Sequence, residues 1–212
     1  MKKVVLSIAA AMTLAAALPA QADTLLGVKV GADAWFTNAK VNGQKSDDTS
    51  TSYYASFEHF IPLVPNVMVR YNDIDTGNVN FEQSDFTAYY EILDNDLVAL
   101  DLGVTMTKFA GVKIQHQNSF SDWQPTVYAA AELGIPATPL TVFAQANAGK
   151  YDGTRLFDGQ AGVKYTLGLV AADLNLRAGY RMMDYDFKKS TTSDVELDGW
   201  FAGVEVDFLI NS

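Results

Sequence analysis

The chain has 212 residues, with 25 Asp and Glu against 15 Lys and Arg, for a formal net charge of −10. Such acidity argues against nucleic acid as a partner, because phosphates repel it. With no cysteine there are no disulfides and no thiolate metal sites; carboxylates and two histidines are the remaining ligands, and no cofactor is expected.

The chain opens Met1-Lys2-Lys3, runs apolar from Val4 to Ala17, breaks at Pro19 and reaches Ala20-Gln21-Ala22. A positive start, an apolar stretch and small residues at the two recognised positions spell a secretory leader. Residues 1–22 are expected to be removed, leaving 23–212 as one domain. The leader's apolar run is too short to stay as a membrane helix, and no later segment approaches the required length. Any bilayer crossing must therefore be made by strands.

Ten strands follow. The first, Leu25 to Thr37, is apolar at every second residue: Leu26, Val28, Val30, Ala32, Ala34, Phe36. Side chains of a strand alternate between its two faces, so one face is apolar and the other polar. The same alternation predicts strands over 53–60, 67–73, 84–93, 97–107, 123–133, 140–149, 156–167, 172–187 and 195–210. An eight-strand count would follow if the third and another short segment were loop. Connections after odd strands read as long and polar: 38–52, 74–83, 108–122, 150–155 and 188–194. Those after even strands read as short turns: 61–66, 94–96, 134–139 and 168–171.

Two architectures satisfy this alternation. A soluble sandwich turns its polar face to water; an outer-membrane barrel turns its apolar face to lipid and its polar face to the lumen. The sorting of long and short connections favours the barrel, since outer loops and periplasmic turns differ in that way. So do the charges of both signs on the polar face. Lys29, Arg70, Glu132, Lys164, Arg177, Arg181 and Glu205 are expected to form an ion-pair network across a narrow lumen. Aromatic residues near the ends of the apolar face, among them Phe36, Tyr53, Tyr71, Trp123, Tyr180 and Trp200, suit the two membrane interfaces. Inward Tyr54, Tyr89, Tyr128, Phe143 and Phe201 add bulk to a ring that is barely wider than one filled by its own side chains. The fold expected is therefore an all-β, closed, up-and-down antiparallel transmembrane barrel with a mostly plugged lumen.

The last strand carries Gly203, an apolar residue three further on, Val206, and an aromatic two beyond that, Phe208. In this the chain resembles the small outer-membrane β-barrels of Gram-negative bacteria, whose terminal strand bears such an assembly signal. The resemblance implies recognition of those three residues by the barrel-assembly machinery. Here the chain continues past the aromatic through Leu209-Ile210-Asn211-Ser212, and Phe201 stands where the family prefers a polar residue. More narrowly, the leader, the first strand and the stretch Gly199 to Phe208 resemble uncharacterised gammaproteobacterial barrels that occur alongside a GlyGly C-terminal sorting system. That narrower resemblance implies no activity.

Candidate chemistry is sparse. His59 lies on the apolar side near a turn, and His116 sits in Gln115-His116-Gln117-Asn118-Ser119 without an acid placed to orient it. Asp47-Asp48 lies in a polar, turn-rich segment, and Asp73-Ile74-Asp75 opens like a calcium loop whose Gly77 and Glu82 fall at the wrong spacing. The chain is expected to be a monomeric, non-enzymatic barrel of the outer membrane. Its environment would be lipid and lipopolysaccharide, with acidic loops available to divalent cations. A narrow channel for small solutes is the alternative, and a lipid-modifying enzyme using a histidine the third reading. The leader reading predicts that protein recovered from the cell envelope begins at Asp23 by mass spectrometry; an intact Met1 would overturn it.

Overall fold

The computed structural model describes residues 26–95, 97–114, 119–169, 172–187 and 193–210. Among them ten strands form, β1 (Leu26–Val41), β2 (Gln44–His59), β3 (Asn66–Asp75), β4 (Val79–Asp94), β5 (Val98–Ile114), β6 (Phe120–Gly134), β7 (Leu140–Tyr151), β8 (Thr154–Gly168), β9 (Asp173–Phe187) and β10 (Ser193–Ile210). Each pairs antiparallel with its neighbours in sequence, and β1 pairs with β10 to close the ring. The expected count of ten holds, and eight is not needed. The predicted leader lies outside the described residues.

The connections do not sort as expected. Most of the segments read as long polar loops are strand. Residues 38–41 and 44–52 pair along a hairpin that turns on Asn42-Gly43, and 150–151 pairs with 154–155 across Asp152-Gly153. Both two-residue turns have positive φ at both positions (48° and 84°; 46° and 81°), the geometry whose twist matches paired strands. Likewise 79–83 and 108–114 are strand rather than loop. The length asymmetry between the two ends is built into the strands, which run on past the apolar belt at the end away from the termini.

The physical reason is an inversion of the alternation. In the half nearer the termini, outward residues are apolar and exposed, as with Val30, Val69, Val104, Val163, Leu176 and Val204, while inward residues are polar or charged. In the other half, the inward positions become apolar. Val41, Ile74, Phe81, Phe109, Ile114 and Tyr185 are each at most 1% exposed, inside a single cluster. The outward positions there are charged: Lys40, Asp47, Asp73, Glu82, Arg155 and Glu196 all face away from the ring. One half of the barrel is thus ordered for lipid and the other for water. The boundary is marked by outward aromatics: Trp200 and Tyr180 pack edge to face at 5.3 Å, Phe86 stacks with Trp123 at 6.3 Å, and Lys108 lies over the Trp123 ring. The rings' apolar bodies and polar edges suit that interface.

The inner cluster is built on three aromatic rings. Phe81, Phe109 and Tyr185 meet edge to face with centroids 5.1 to 5.8 Å apart. Such packing adds about 0.5–1.5 kcal/mol per pair beyond area burial. Nearer the middle, Trp35, Phe143 and Phe201 continue the cluster, with Phe143 and Phe201 at 6.2 Å. The ring wall is shortest at β3, ten residues long, where the apolar turn at 60–65 leads in; Tyr90 Oη donates to the Leu63 carbonyl at 2.9 Å and ties that turn to the β4 wall.

This layout predicts three outcomes in urea unfolding of the lipid-reconstituted barrel. Phe109→Ala should cost about 3–5 kcal/mol, as a buried aromatic truncation does. Val204→Arg, midway along the outward belt of β10, should cost about 2–4 kcal/mol. Thr49→Arg, outward in the extension, should change stability by no more than about 0.5 kcal/mol; a large loss there would place that surface in lipid.

Candidate functional site

The lumen in the half nearer the termini holds the charges the sequence singled out, and the strand register explains their meeting. Lys164 on β8 faces Arg177 on β9, and the next inward position along the ring is Gly203 on β10, which lies opposite Asp33 on β1. A Cβ at position 203 would fall 2.0 Å from an Asp33 carboxylate oxygen and 2.4 Å from the Ala32 carbonyl. Only glycine leaves that space. Gly203 therefore has a packing role independent of any assembly signal. Val206 and Phe208 lie on the outward face, Phe208 exposed toward the belt.

Lys164 Nζ binds Glu132 at 2.6 Å and lies 3.5 Å from Glu205. Glu205 also accepts from Tyr54 Oη at 2.6 Å and from Asn175 Nδ2 at 3.0 Å. Arg177 donates to Tyr54 Oη and lies 3.5 Å from Asp33. Its guanidinium also sits 4.8 Å from the Phe143 ring centroid and 4.9 Å from that of Tyr54. Lys29 pairs with Glu58 at 2.8 Å, and Tyr89 Oη donates to the same carboxylate at 2.9 Å. These are charge-assisted contacts in a wall largely withdrawn from water, where geometry decides whether desolvation is repaid.

Two of the expected members stand apart. Arg181 belongs to a separate layer beneath the aromatic cluster. Its Nε and Nη2 reach both oxygens of Asp158 at 3.0 and 2.8 Å, its Nη1 donates to Asn72 at 2.9 Å, and its guanidinium covers the Trp35 ring at 5.1 Å. Gln83, Asp85 and Thr107 extend this layer, and Tyr185 Oη donates to Gln83 at 2.7 Å, joining it to the aromatic cluster. Arg70 makes no ion pair among the described residues. It donates to Gln145 Oε1 at 3.1 Å and lies over the Tyr54 ring at 5.2 Å. Sequence reasoning missed Asp158 and Gln145 as partners. Both sit on the inward parity of their strands, so parity could have found them; Asp158 is a diagonal neighbour of Arg181 on the adjacent strand, while the meeting of Arg70 with Gln145 across the ring depends on stagger, which one strand does not carry.

The charged walls enclose a cavity of about 60 Å³ that Lys29, Tyr54, Arg70, Asp101, Gln145 and Arg177 help to line. That admits a few waters or one small ion and is far below the size of a drug-sized ligand site. His59 accepts from the Ile61 backbone N–H through Nδ1 at 3.2 Å and packs near Phe57 at 5.9 Å, at the edge of the lower turn. His116 lies outside the described residues. Among the described residues, no cluster of three His, Asp or Glu is arranged to hold a metal.

A closed, ten-strand antiparallel ring with a lipid-type outer belt and a polar lumen defines the outer-membrane β-barrel fold. Solved structures with this fold include Neisserial surface protein A, 18% identical over 84% of this chain and 96% of that one, with a TM-score of 0.43. They also include the translocator domain of the autotransporter NalP from Neisseria meningitidis, 11% identical over 98% and 96%, TM-score 0.46. The attachment invasion locus protein Ail of Yersinia pestis is 12% identical over 87% and 99%, TM-score 0.34. These are likenesses of fold. No protein-family model matches the chain, and no curated protein matches it in sequence.

Truncating one member of the buried Arg181–Asp158 pair strands the other charge. Arg181→Ala should cost about 3–5 kcal/mol in urea unfolding. Lys40→Ala, which breaks an exposed, solvent-screened pair with Glu196, should leave the unfolding midpoint essentially unchanged. Equal losses would mean that the inner layer is hydrated.

Proposed function

We propose that this protein is a sealed, monomeric barrel of the Gram-negative outer membrane with a structural or surface-interaction role and no enzymatic one. The observation that carries the reading is the aromatic and aliphatic cluster filling the ring beyond the belt, from Trp35 and Phe201 to Val41 and Ile114. An aqueous path through the lumen would have to cross that cluster, whose members are each at most 5% exposed. On this reading the termini face the periplasm after removal of the leader, and the strand extension stands outside the cell. Its partners are outer-membrane lipid and lipopolysaccharide, and the assembly machinery during insertion through Gly203, Val206 and Phe208. The narrower resemblance to barrels that accompany a GlyGly sorting system implies no activity and adds none to this reading.

The non-enzymatic part of this reading is supported by His59, whose Nδ1 accepts from the Ile61 N–H of its own turn. A second reading, a narrow channel for small solutes, is favoured by the charged lower lumen with Lys164 and Arg177 at its deep end. It requires the aromatic cluster to move aside.

Planar-bilayer recordings of the refolded barrel separate the two. Sealed, it should give no steady conductance, and Phe201→Ala together with Phe143→Ala should still give none, since Phe81, Phe109 and Tyr185 fill the ring beyond them. A steady conductance in the unmodified protein, altered by Arg177→Ala, would overturn the sealed reading in favour of the channel.

A further inference from the structure

Among the large apolar side chains described, the most exposed is Leu63, at 79%, and it lies in a turn rather than on the belt. The connection from β2 to β3 reads Phe60-Ile61-Pro62-Leu63-Val64-Pro65, without a polar or charged side chain. Phe60, Ile61 and Val64 are exposed as well. The connection from β4 to β5, at the same end of the barrel, carries Asn95 and Asp96 instead. A contiguous apolar patch on a folded surface marks a place where something else docks.

The shape of this turn is closely specified. Asn66 Oδ1 accepts from the His59 N–H at 2.9 Å and closes its base. The Val64 N–H reaches back to the Ile61 carbonyl at 3.4 Å across Pro62 and Leu63, and Leu63 has a φ of 68°. That is the pattern of a type II turn, with proline second and a third position that favours glycine or asparagine. Leucine there combines backbone strain with display of an apolar side chain, and water rewards neither.

The backbone of the turn is also prepared for a setting poor in water. Pro62 and Pro65 have no N–H to satisfy. The Ile61 N–H donates to His59 Nδ1 at 3.2 Å, and the Leu63 carbonyl accepts from Tyr90 Oη at 2.9 Å. Side chains thus stand where water would otherwise bond, as backbone near lipid requires. Tyr90 shares the outward parity of Phe86 on β4, so it holds the Leu63 carbonyl on the outer side of the wall rather than beneath the lumen. On that side the turn continues the apolar belt from Phe57 and Val67, which pair at the foot of β2 and β3 and are both exposed.

We propose that the turn 60–65 is an interfacial anchor, seated in the phospholipid leaflet at the terminus end of the barrel rather than standing free in the periplasm. With no charge of its own it takes acyl chains and not headgroup ions. Its irregular backbone keeps it at the boundary of headgroups and chains, about 5–10 Å deep, rather than in the hydrocarbon centre. The inference rests on the membrane reading above, and the experiment separates the two.

The test uses the full barrel refolded into phospholipid vesicles. The chain has no cysteine, so a single introduced one takes a single nitroxide label. Labels are placed by Leu63→Cys, by Val204→Cys in mid-belt and by Thr49→Cys on the extension. Collision with oxygen, which enters lipid, is compared with collision with a water-soluble nickel chelate. The oxygen-to-nickel ratio for Leu63→Cys should exceed that for Thr49→Cys by about threefold or more and should not exceed that for Val204→Cys, as an interfacial seat requires. Val64→Cys, on the same turn, should repeat that result. If Leu63→Cys and Val64→Cys match Thr49→Cys while Val204→Cys stays high, the turn is in water and the anchor is overturned, leaving the patch to a protein partner. A low ratio for Val204→Cys as well would overturn the membrane reading and the anchor with it.

Discussion

Everything in this molecule depends on the backbone having no water to bond within the hydrocarbon layer. A strand edge left open there would strand a row of N–H and C=O groups, at several kcal/mol each. Pairing of β1 with β10, from Leu26 opposite Ile210 to Val41 opposite Val195, removes the edge. Closure then dictates that each strand has one face in the ring and one outside, and the alternation of the sequence follows. The glycines at the tightest approaches belong to the same requirement. At Gly203 the ring closes so near Asp33 that no side chain fits.

A single ring meets two solvents along its length, and its side chains change phase where the solvent changes. Against lipid, burial rewards nothing on the outer face except being apolar, so polar groups collect inside and satisfy one another. Against water the ordinary hydrophobic effect returns, and the apolar residues go inside. The two regimes meet around Trp35. Its ring packs with the apolar cluster, its Nε1 donates to the Gly199 carbonyl at 3.2 Å, and the Arg181 guanidinium lies on its face. The stack from Lys29 to Phe109 is therefore layered: charged at Lys29 and Arg177, aromatic at Phe143 and Phe201, charged again where Arg181 meets Asp158, and apolar at Phe109.

The fold was largely legible in the sequence, and the part that was not has one cause. Parity along each strand identified Lys29, Glu132, Lys164, Arg177 and Glu205 as inward, and the outward aromatics from Phe36 to Trp200 as a girdle. Segments 38–52, 74–83 and 108–122 read as loop when a lipid-facing strand, apolar on the outside, is the template. In those segments Ala39, Val41, Ile74, Val79, Phe81, Phe109, Val112 and Ile114 keep the period of two with the opposite phase. Polar outward residues then look like loop composition. The partners within the lumen were less legible still. Arg70 on β3 meets Gln145 on β7 across the ring, which no local pattern encodes, whereas Arg181 meets Asp158 diagonally on the neighbouring strand β8, two residues from its register partner Gln160.

The hairpins at Asn42-Gly43 and Asp152-Gly153 show what kind of surface the protein offers to its surroundings. Among the described residues the part beyond the belt is paired sheet, so side chains such as Lys40 and Glu196 are displayed at fixed spacing on a hydrogen-bonded frame. On the orientation proposed above, an antibody or a phage tail fibre meeting the cell would read a discontinuous epitope drawn from several strands. Linear peptides from the same segments would not reproduce it, and denaturing the barrel would erase it.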